Sequence, residues 1–307
     1  MIVKALWTYP QIEHKILWSG QHYSEGLSSL FFKSLSLPKP DLIMDIGSES
    51  QGKVLIQHEN IKHMADAIES VTPDIVMVYG DCNTTWLGAE AAYFMNIPVA
   101  HIEAGCRCGD ERMLEEKNRI LTDRISKYLF CPTPHCVDNL KKEGMEGEYV
   151  GDLMLDPFLY SQSIIDKVDM SKYPLYDVLL TLHRAESSSL EQIIAILGDL
   201  GDKKVFWPVH PRNQKFVDRL DKQGYSNVTF SQPIDYFELL AILRKVTEVW
   251  TDSGGVTREA YFSGKPVKVL RKLYEWSELA DNPSPNPCGD GRAAQKILKI
   301  LTNGISR

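Results

Sequence analysis

Five short stretches of this chain place ionisable or hydrogen-bond-donating groups directly after apolar, strand-like runs. Open α/β sheets address their ligands from that position. Gly80-Asp81-Cys82-Asn83-Thr84-Thr85 follows one run and His101-Ile102-Glu103-Ala104-Gly105 follows the next. Neighbouring strands lie about 4.8 Å apart, so Asp81 and Glu103 can share a pocket. Clustered carboxylates push each other's pKa values apart, which lets one act as base and another as acid. Glu115, at the start of a predicted helix, is a candidate third member, with a dipole-favoured first-turn residue as the alternative. For Asp81 the alternative is a helix N-cap.

The other three stretches favour anions. Thr251-Asp252-Ser253-Gly254-Gly255 closes a strand and opens a helix, so it presents backbone N–H groups and the positive end of a dipole to a phosphate. Gly254 and Gly255 allow close approach, with Ser253 beside them; an ordinary strand-to-helix turn is the alternative. Glu259, about one turn further on, can accept hydrogen bonds from ribose hydroxyls or can be a solvated acid. His183-Arg184 and His210-Pro211-Arg212 follow two more strand-like runs. A histidine there binds a phosphate oxygen or gives a proton to a leaving group. Exposed basic loops are the competing reading for His183, Arg184, His210 and Arg212.

The elements that must carry these groups alternate strand and helix almost throughout, as in parallel sheets with helical crossovers. Strands are expected over 14–19, 42–46, 75–79, 98–102 and 128–131, then over 177–182, 204–209, 227–230, 248–250 and 266–270. The clearest helix is expected over 115–127. Another is opened by Ser188-Ser189-Leu190-Glu191, a capping-box pattern. The breaker-containing stretch 148–174 is expected to be a linker, with the domain boundary near 155. The Pro-rich run 281–290 is expected to be a loop before a final helix over 292–301. The chain thus divides into domains over 1–154 and 155–290, with residues 291–307 as a helix that packs back on the first domain.

The chain has 307 residues, 43% hydrophobic and 24% charged, enough for two packed domains. A formal charge of −7 leaves no broad basic surface for nucleic acid, so an anionic ligand must be held locally. No apolar run approaches the roughly 20 residues of a membrane span. With no secretory signal apparent, the cytoplasm is the expected compartment. Six cysteines form no C-x-x-C pair, and Cys106-x-Cys108 is a weak metal signal, so free thiols are expected.

Taken in order, seven stretches resemble the non-hydrolysing UDP-N-acetylglucosamine 2-epimerases, especially the archaeal type. They are SGQH at 19–22, GDCNTT at 80–85, HIEAGCRCGDERMLEEKNRILTDRIS at 101–126, VGDLMLD at 150–156, LTLHRAES at 180–187, PVHPR at 208–212 and TDSGGVTREAYFSGKP at 251–266. The resemblance implies a glycosyltransferase-B-like fold of two Rossmann-like domains with the ligand cleft between them. It implies UDP held mainly by the second domain, no metal or redox cofactor, and a homodimer. It also implies elimination of UDP across C1 and C2 and re-addition with inversion, which interconverts UDP-N-acetylglucosamine and UDP-N-acetylmannosamine.

By the same resemblance Asp81, Glu103 and Glu115 match catalytic carboxylates, and His183 matches the histidine near the pyrophosphate. Ser253, Gly254 and Gly255 match the phosphate turn, and Glu259 the ribose contact. Relative to the family, the chain is expected to lack the first strand and its Gly-Thr-Arg-Pro-Glu loop, and to be trimmed after Glu278. Its Tyr274-Glu275-Trp276-Ser277-Glu278 replaces Thr-Glu-Trp-Pro-Glu. These departures motivate one alternative, a catalytically impaired UDP-sugar binder. The GDxN and EAGxRC features, which epimerases of UDP-diacetamido-glucuronate share, leave a second, and the fold itself leaves a third, a glycosyltransferase.

Overall fold

A computed structural model describes residues 9–19, 37–44, 46, 58–184, 188–220, 222–279 and 286–305. Four regions singled out in the sequence lie outside them: the chain start on which the missing strand is argued, residues 20–22 of SGQH, residues 185–187 of LTLHRAES, and residues 281–285 of the Pro-rich run.

The chain forms two compact units, one from Met1–Pro157 with Pro285–Arg307, the other from Phe158–Ser284. In the first unit the elements run β1 (Leu17–Trp18), β2 (Leu42–Ile43), α1 (His58–Val71), β3 (Val76–Tyr79), α2 (Asn83–Phe94), β4 (Val99–Ile102), α3 (Leu114–Ile125), β5 (Tyr128–Cys131), α4 (Pro134–Lys142) and β6 (Glu148–Tyr149). Strands β3, β4, β5 and β6 make a parallel sheet in that order, and β1 pairs with β2, also parallel. Helix α5 (Leu155–Ile165) contains the boundary between the units.

The second unit continues with β7 (Val178–Thr181), α6 (Leu190–Leu200), β8 (Val205–Pro208), α7 (Pro211–Val217), β9 (Val228–Ser231), α8 (Tyr236–Lys245), β10 (Glu248–Thr251), α9 (Gly254–Phe262) and β11 (Val267–Val269). Its parallel sheet has the order β11-β10-β7-β8-β9, so the chain first winds outward in one direction, then returns past β7 to wind in the other. The loops after β7 and β10 therefore part at the topological switch point, where such sheets bind ligands.

Alternate residues of the central strands are buried on opposite faces, as a parallel sheet covered on both sides requires. Val178, Leu180, Val205 and Trp207 pack with Ile193, Leu197 and Leu200 of α6. Leu179, Phe206 and Val249 pack with Ile242, Leu243, Val256 and Ala260 on the other face.

The last helix, α10 (Ala293–Ile305), belongs to the first unit's core. Its residues Ala293, Ala294, Ile297, Leu298 and Leu301 form one stripe against Ala100, Ile102, Phe130, Val150 and Leu153. Asp156 caps its start, accepting from the Ala293 and Ala294 amides at 3.1 and 2.9 Å. Burial raises the Asp156 pKa despite these bonds. Ile297 is fully buried, so Ile297→Ala is expected to lower the stability of this unit by about 2–5 kcal/mol, measurable by urea unfolding.

Two local expectations need correction. The linker read over 148–174 contains β6 and α5. Pro157 lies in the first turn of α5, where the missing N–H costs nothing, so it does not break that helix. The capping box of α6 is formed by Ser189 and Gln192, one residue later than the Ser188–Glu191 pair. Both reciprocal bonds are made, at 3.2 and 3.1 Å.

Candidate functional site

In the first unit β3 and β4 run in register, with Tyr79 opposite Ile102. Asp81 and Glu103 therefore leave neighbouring strands at the same sheet edge. Arg119 of α3 joins them, with Nη2 2.6 Å from Asp81 Oδ2 and Nη1 3.9 Å from Glu103 Oε2. Arg119 is buried, and its guanidinium offsets the repulsion between two like charges brought this close. Asn118 adds bonds to the Asp81 carbonyl and to Asn83 Oδ1 at 2.9 and 3.1 Å.

Asp81 is not the helix cap, because that position falls to Cys82. Glu115 stands in the first turn of α3, half-buried and four residues before Arg119, so both lie on one helix face. Its neighbour Glu116 is buried and accepts from the amides of Cys108 and Gly109, both at 2.9 Å, which fixes the loop before the helix.

The backbone turns hard where Glu103 is presented. Glu103 has φ +70° and Gly105 φ +76°. Holding a glutamate in the left-handed region costs about 1 kcal/mol or more, and such strain gathers at functional sites. At Gly105 a Cβ would lie 2.2 Å from the Cys136 carbonyl oxygen. Gly105→Ala is therefore expected to cost more than about 3 kcal/mol and shift the Glu103 loop, which a thermal melt and a peptide-level hydrogen-exchange map would register.

Behind this edge runs a line of hydrogen-bonded ionisable groups, buried at His101 and Asp123 and reaching the surface at Glu143. His101 has no solvent exposure; its Nδ1 is 2.6 Å from Asp123 Oδ1 and its Nε2 2.8 Å from the Gly80 carbonyl. Asp123 also accepts from Arg107 Nη2 at 2.7 Å and from the Gly105 amide at 3.1 Å. Arg107 in turn donates to both oxygens of Glu143, at 2.8 and 2.9 Å. Burial opposes the charge on Asp123, but His101 and Arg107 hold its carboxyl below the usual range.

In the second unit the loops at the switch point are tied by Asp252, which is fully buried. It accepts from His183 Nδ1 at 2.9 Å, from the His183 amide at 3.0 and 3.1 Å, and from the Arg184 amide at 2.9 Å. Burial opposes ionisation, but the His183 ring and these amides outweigh it, leaving the Asp252 carboxyl below its ordinary pKa. Because Nδ1 donates to Asp252, the other ring nitrogen of His183 is left to meet a ligand.

Ser253 caps α9, its hydroxyl accepting from Val256 N at 3.3 Å. The amides of Gly254 and Gly255 belong to the first turn, where no helical carbonyl can reach them, so this turn can take an anion. The sequence expectation is thereby refined: the Ser253 side chain is taken up by the helix, and only backbone N–H groups of the turn are placed to take an anion.

The His210 ring lies 6.2 Å from that of His183. Its Nδ1 caps α7 by accepting from Arg212 N at 3.2 Å. Burial, then the neighbours His183 and Arg212, lower its pKa, which agrees with an acceptor nitrogen. Arg184 is half-buried and Arg212 exposed. Glu259 is buried, not a solvated first-turn acid. Burial, then Glu259 beside it, pushes the Tyr236 hydroxyl upward, so the two side chains share a proton-bearing contact.

Sequence reasoning did not single out Arg119 or Asp252, which hold Asp81 and His183, although both lie inside motifs it quoted. For Arg119 the signal was its spacing from Glu115, and for Asp252 its place at the end of a strand. The Cys106-x-Cys108 pair divides between different partners: Cys106 Sγ sits 3.4 Å from Cys136 Sγ, while Cys108 Sγ faces Met113 Sδ at 3.6 Å. The six cysteines are free thiols. Among the described residues no group of His, Cys, Asp and Glu is arranged to hold a metal ion, and no helix is long and apolar enough to cross a membrane.

Two parallel α/β units, one with an anion-taking turn at a switch point and one with paired carboxylates at strand ends, define a glycosyltransferase-B-like protein that handles a nucleotide-sugar. The sequence profile described as UDP-N-acetylglucosamine 2-epimerase matches residues 4–284. The chain belongs to that family, in its non-hydrolysing branch. It is 38% identical over 291 residues to the UDP-2,3-diacetamido-2,3-dideoxy-D-glucuronate 2-epimerase of Pseudomonas aeruginosa, covering 91% of this chain and 81% of that one. It is 35% identical over 340 residues to a UDP-N-acetylglucosamine 2-epimerase of Methanococcus maripaludis, covering 93% and 90%. The crystal structure of Methanocaldococcus jannaschii UDP-GlcNAc 2-epimerase in complex with UDP-GlcNAc and UDP is similar with a TM-score of 0.87 and 31% identity, covering 98% of this chain and 95% of that one.

Proposed function

We propose that this chain interconverts UDP-N-acetylglucosamine and UDP-N-acetylmannosamine by eliminating UDP across C1 and C2 and adding it back with the opposite configuration at C2. The observation that carries this reading is the Asp81–Arg119–Glu103 cluster at the end of β3 and β4. The C2 hydrogen is scarcely acidic, so its removal must be coupled to departure of the pyrophosphate. A carboxylate of the cluster takes the proton. The amides of Gly254 and Gly255, with the outward nitrogen of His183, receive the negative charge growing on the leaving phosphate. Glu259 takes the ribose hydroxyls, Glu115 completes the acidic group, and Arg184, His210 and Arg212 hold the diphosphate. The residues present supply the acids and anion donors that the reaction needs without a bound cofactor, and the chain works as a homodimer in the cytoplasm.

One observation favours a second substrate. The relative at 38% identity bears the name of a UDP-2,3-diacetamido-glucuronate 2-epimerase. The elimination chemistry is the same, and only the groups on C3 and C6 differ.

Incubation with each UDP-sugar in D2O tests both readings. UDP-N-acetylglucosamine is expected to acquire deuterium at C2 and to yield the manno epimer. Exchange confined to the diacetamido-glucuronate would move the assignment to the second substrate. UDP binding by calorimetry with no exchange on either sugar would reduce the chain to a nucleotide-sugar binder and defeat the proposed reaction.

A further inference from the structure

We infer that His101, whose Nε2–H is clamped on the Gly80 carbonyl while its Nδ1 is held by Asp123, positions Asp81. The inference rests on the proposed epimerase reading for its catalytic consequence, but not for its geometry. His101 sits in the middle strand pair of the first sheet, with Val78 and Leu129 as its register partners on either side. Neither partner can accept or supply a proton. The ring is wholly buried, and both of its nitrogens are within hydrogen-bond distance of oxygen.

The Gly80 carbonyl can only accept, so Nε2 must carry a hydrogen. Asp123 faces Nδ1 with its Oδ1, while its Oδ2 accepts from Arg107 Nη2 and the Gly105 amide. The ring is thus fixed at both nitrogens, and losing either bond would leave a buried polar group unpaired at a cost of about 1–3 kcal/mol.

The consequence lies one residue away. Gly80 has φ +64°, donates its own N–H to Ile102 O at 3.0 Å, and immediately precedes Asp81. The carbonyl held by His101 therefore sets the peptide plane from which Asp81 departs. Arg119 and Asn118 grip Asp81 from the other side. His101 touches no reacting atom; it is a positioning residue, and Asp123 fixes the orientation of its ring.

In His101→Gln, which keeps a donor for Gly80, backbone amide signals of Gly80 and Asp81 should move little. In His101→Phe, which keeps a flat ring but offers Gly80 no donor, they should move while those of Ser253 to Gly255 stay. The kcat for C2 exchange should fall about 30-fold with KM within about 3-fold. Unmoved Gly80 and Asp81 signals would sink the positioning role. Should the wild type show no exchange at all, the epimerase reading fails, and the spectra still decide the fate of the clamp.

Discussion

Replacing Glu103 by glutamine lowers kcat for C2 exchange about 10³-fold or more, with KM for the UDP-sugar changed less than about 3-fold. General acid–base groups contribute about 10² to 10⁴ to such reactions, and an amide of the same shape cannot take the proton. The split between kcat and KM matters because the substitution leaves the anion-binding turn of the second unit untouched. Stability should hardly change. The left-handed backbone at position 103 is imposed by its surroundings, and glutamine inherits it at the same cost. Asp81→Asn should resemble it in rate but not in stability, since it removes the 2.6 Å ion pair and leaves the buried Arg119 guanidinium with a weaker partner. Quench-flow or mass-spectrometric detection of deuterium at C2, together with thermal melts, separates the two. A Glu103→Gln enzyme with wild-type exchange would remove the carboxylate from the mechanism.

Asp252→Asn should lower kcat by a comparable factor, about 10² to 10⁴, by a different route. The carboxylate fixes which nitrogen of His183 carries the proton. An asparagine can offer its amide there and reverse the tautomer, the same fault that disables other His–Asp pairs. The new amide also sets a donor near the backbone N–H groups of His183 and Arg184, which now donate to Asp252, so about 1–3 kcal/mol of stability is lost as well. UDP affinity by calorimetry should weaken, unlike in Glu103→Gln. The pH dependence carries a sign of its own. Because folding depresses the Asp252 pKa, its contribution is present above the unfolded value of about 3.9 and is lost as pH falls through the lower, folded value. Scanning calorimetry over a pH series should therefore show the wild-type Tm falling from about pH 4 downward more steeply than that of Asp252→Asn. Equal slopes would mean the pair with His183 contributes nothing to stability.

The central strands were the most legible part of the fold, because a buried parallel strand is an uninterrupted apolar run, whereas the more polar run 14–19 yields only Leu17–Trp18. The run 128–131 forms β5 over those residues, and 75–79, 98–102 and 248–250 differ from β3, β4 and β10 by one residue. The stretch 148–174 misled because Pro157 reads as a breaker until its place in a first turn is known, and that place depends on where the helix starts. The one-residue slip at α6 has a similar cause: Ser188 and Ser189 offer overlapping boxes, and only the backbone angles at Ser189 choose between them.

For the candidate site, the sequence by itself determined the chemical types and their stations at strand ends: Asp81, Glu103, His183 and the Ser253 to Gly255 turn. These follow from local rules, since a residue just past an apolar run must emerge at a sheet edge. What tertiary structure decided is which of them meet. Arg119 reaches Asp81 across 38 residues and Asp252 reaches His183 across 69, distances over which no periodicity carries information. The clamp made by His101 was hidden for the same reason. A buried histidine in an apolar strand looks like core until the two oxygens facing its ring, from Gly80 and Asp123, are counted.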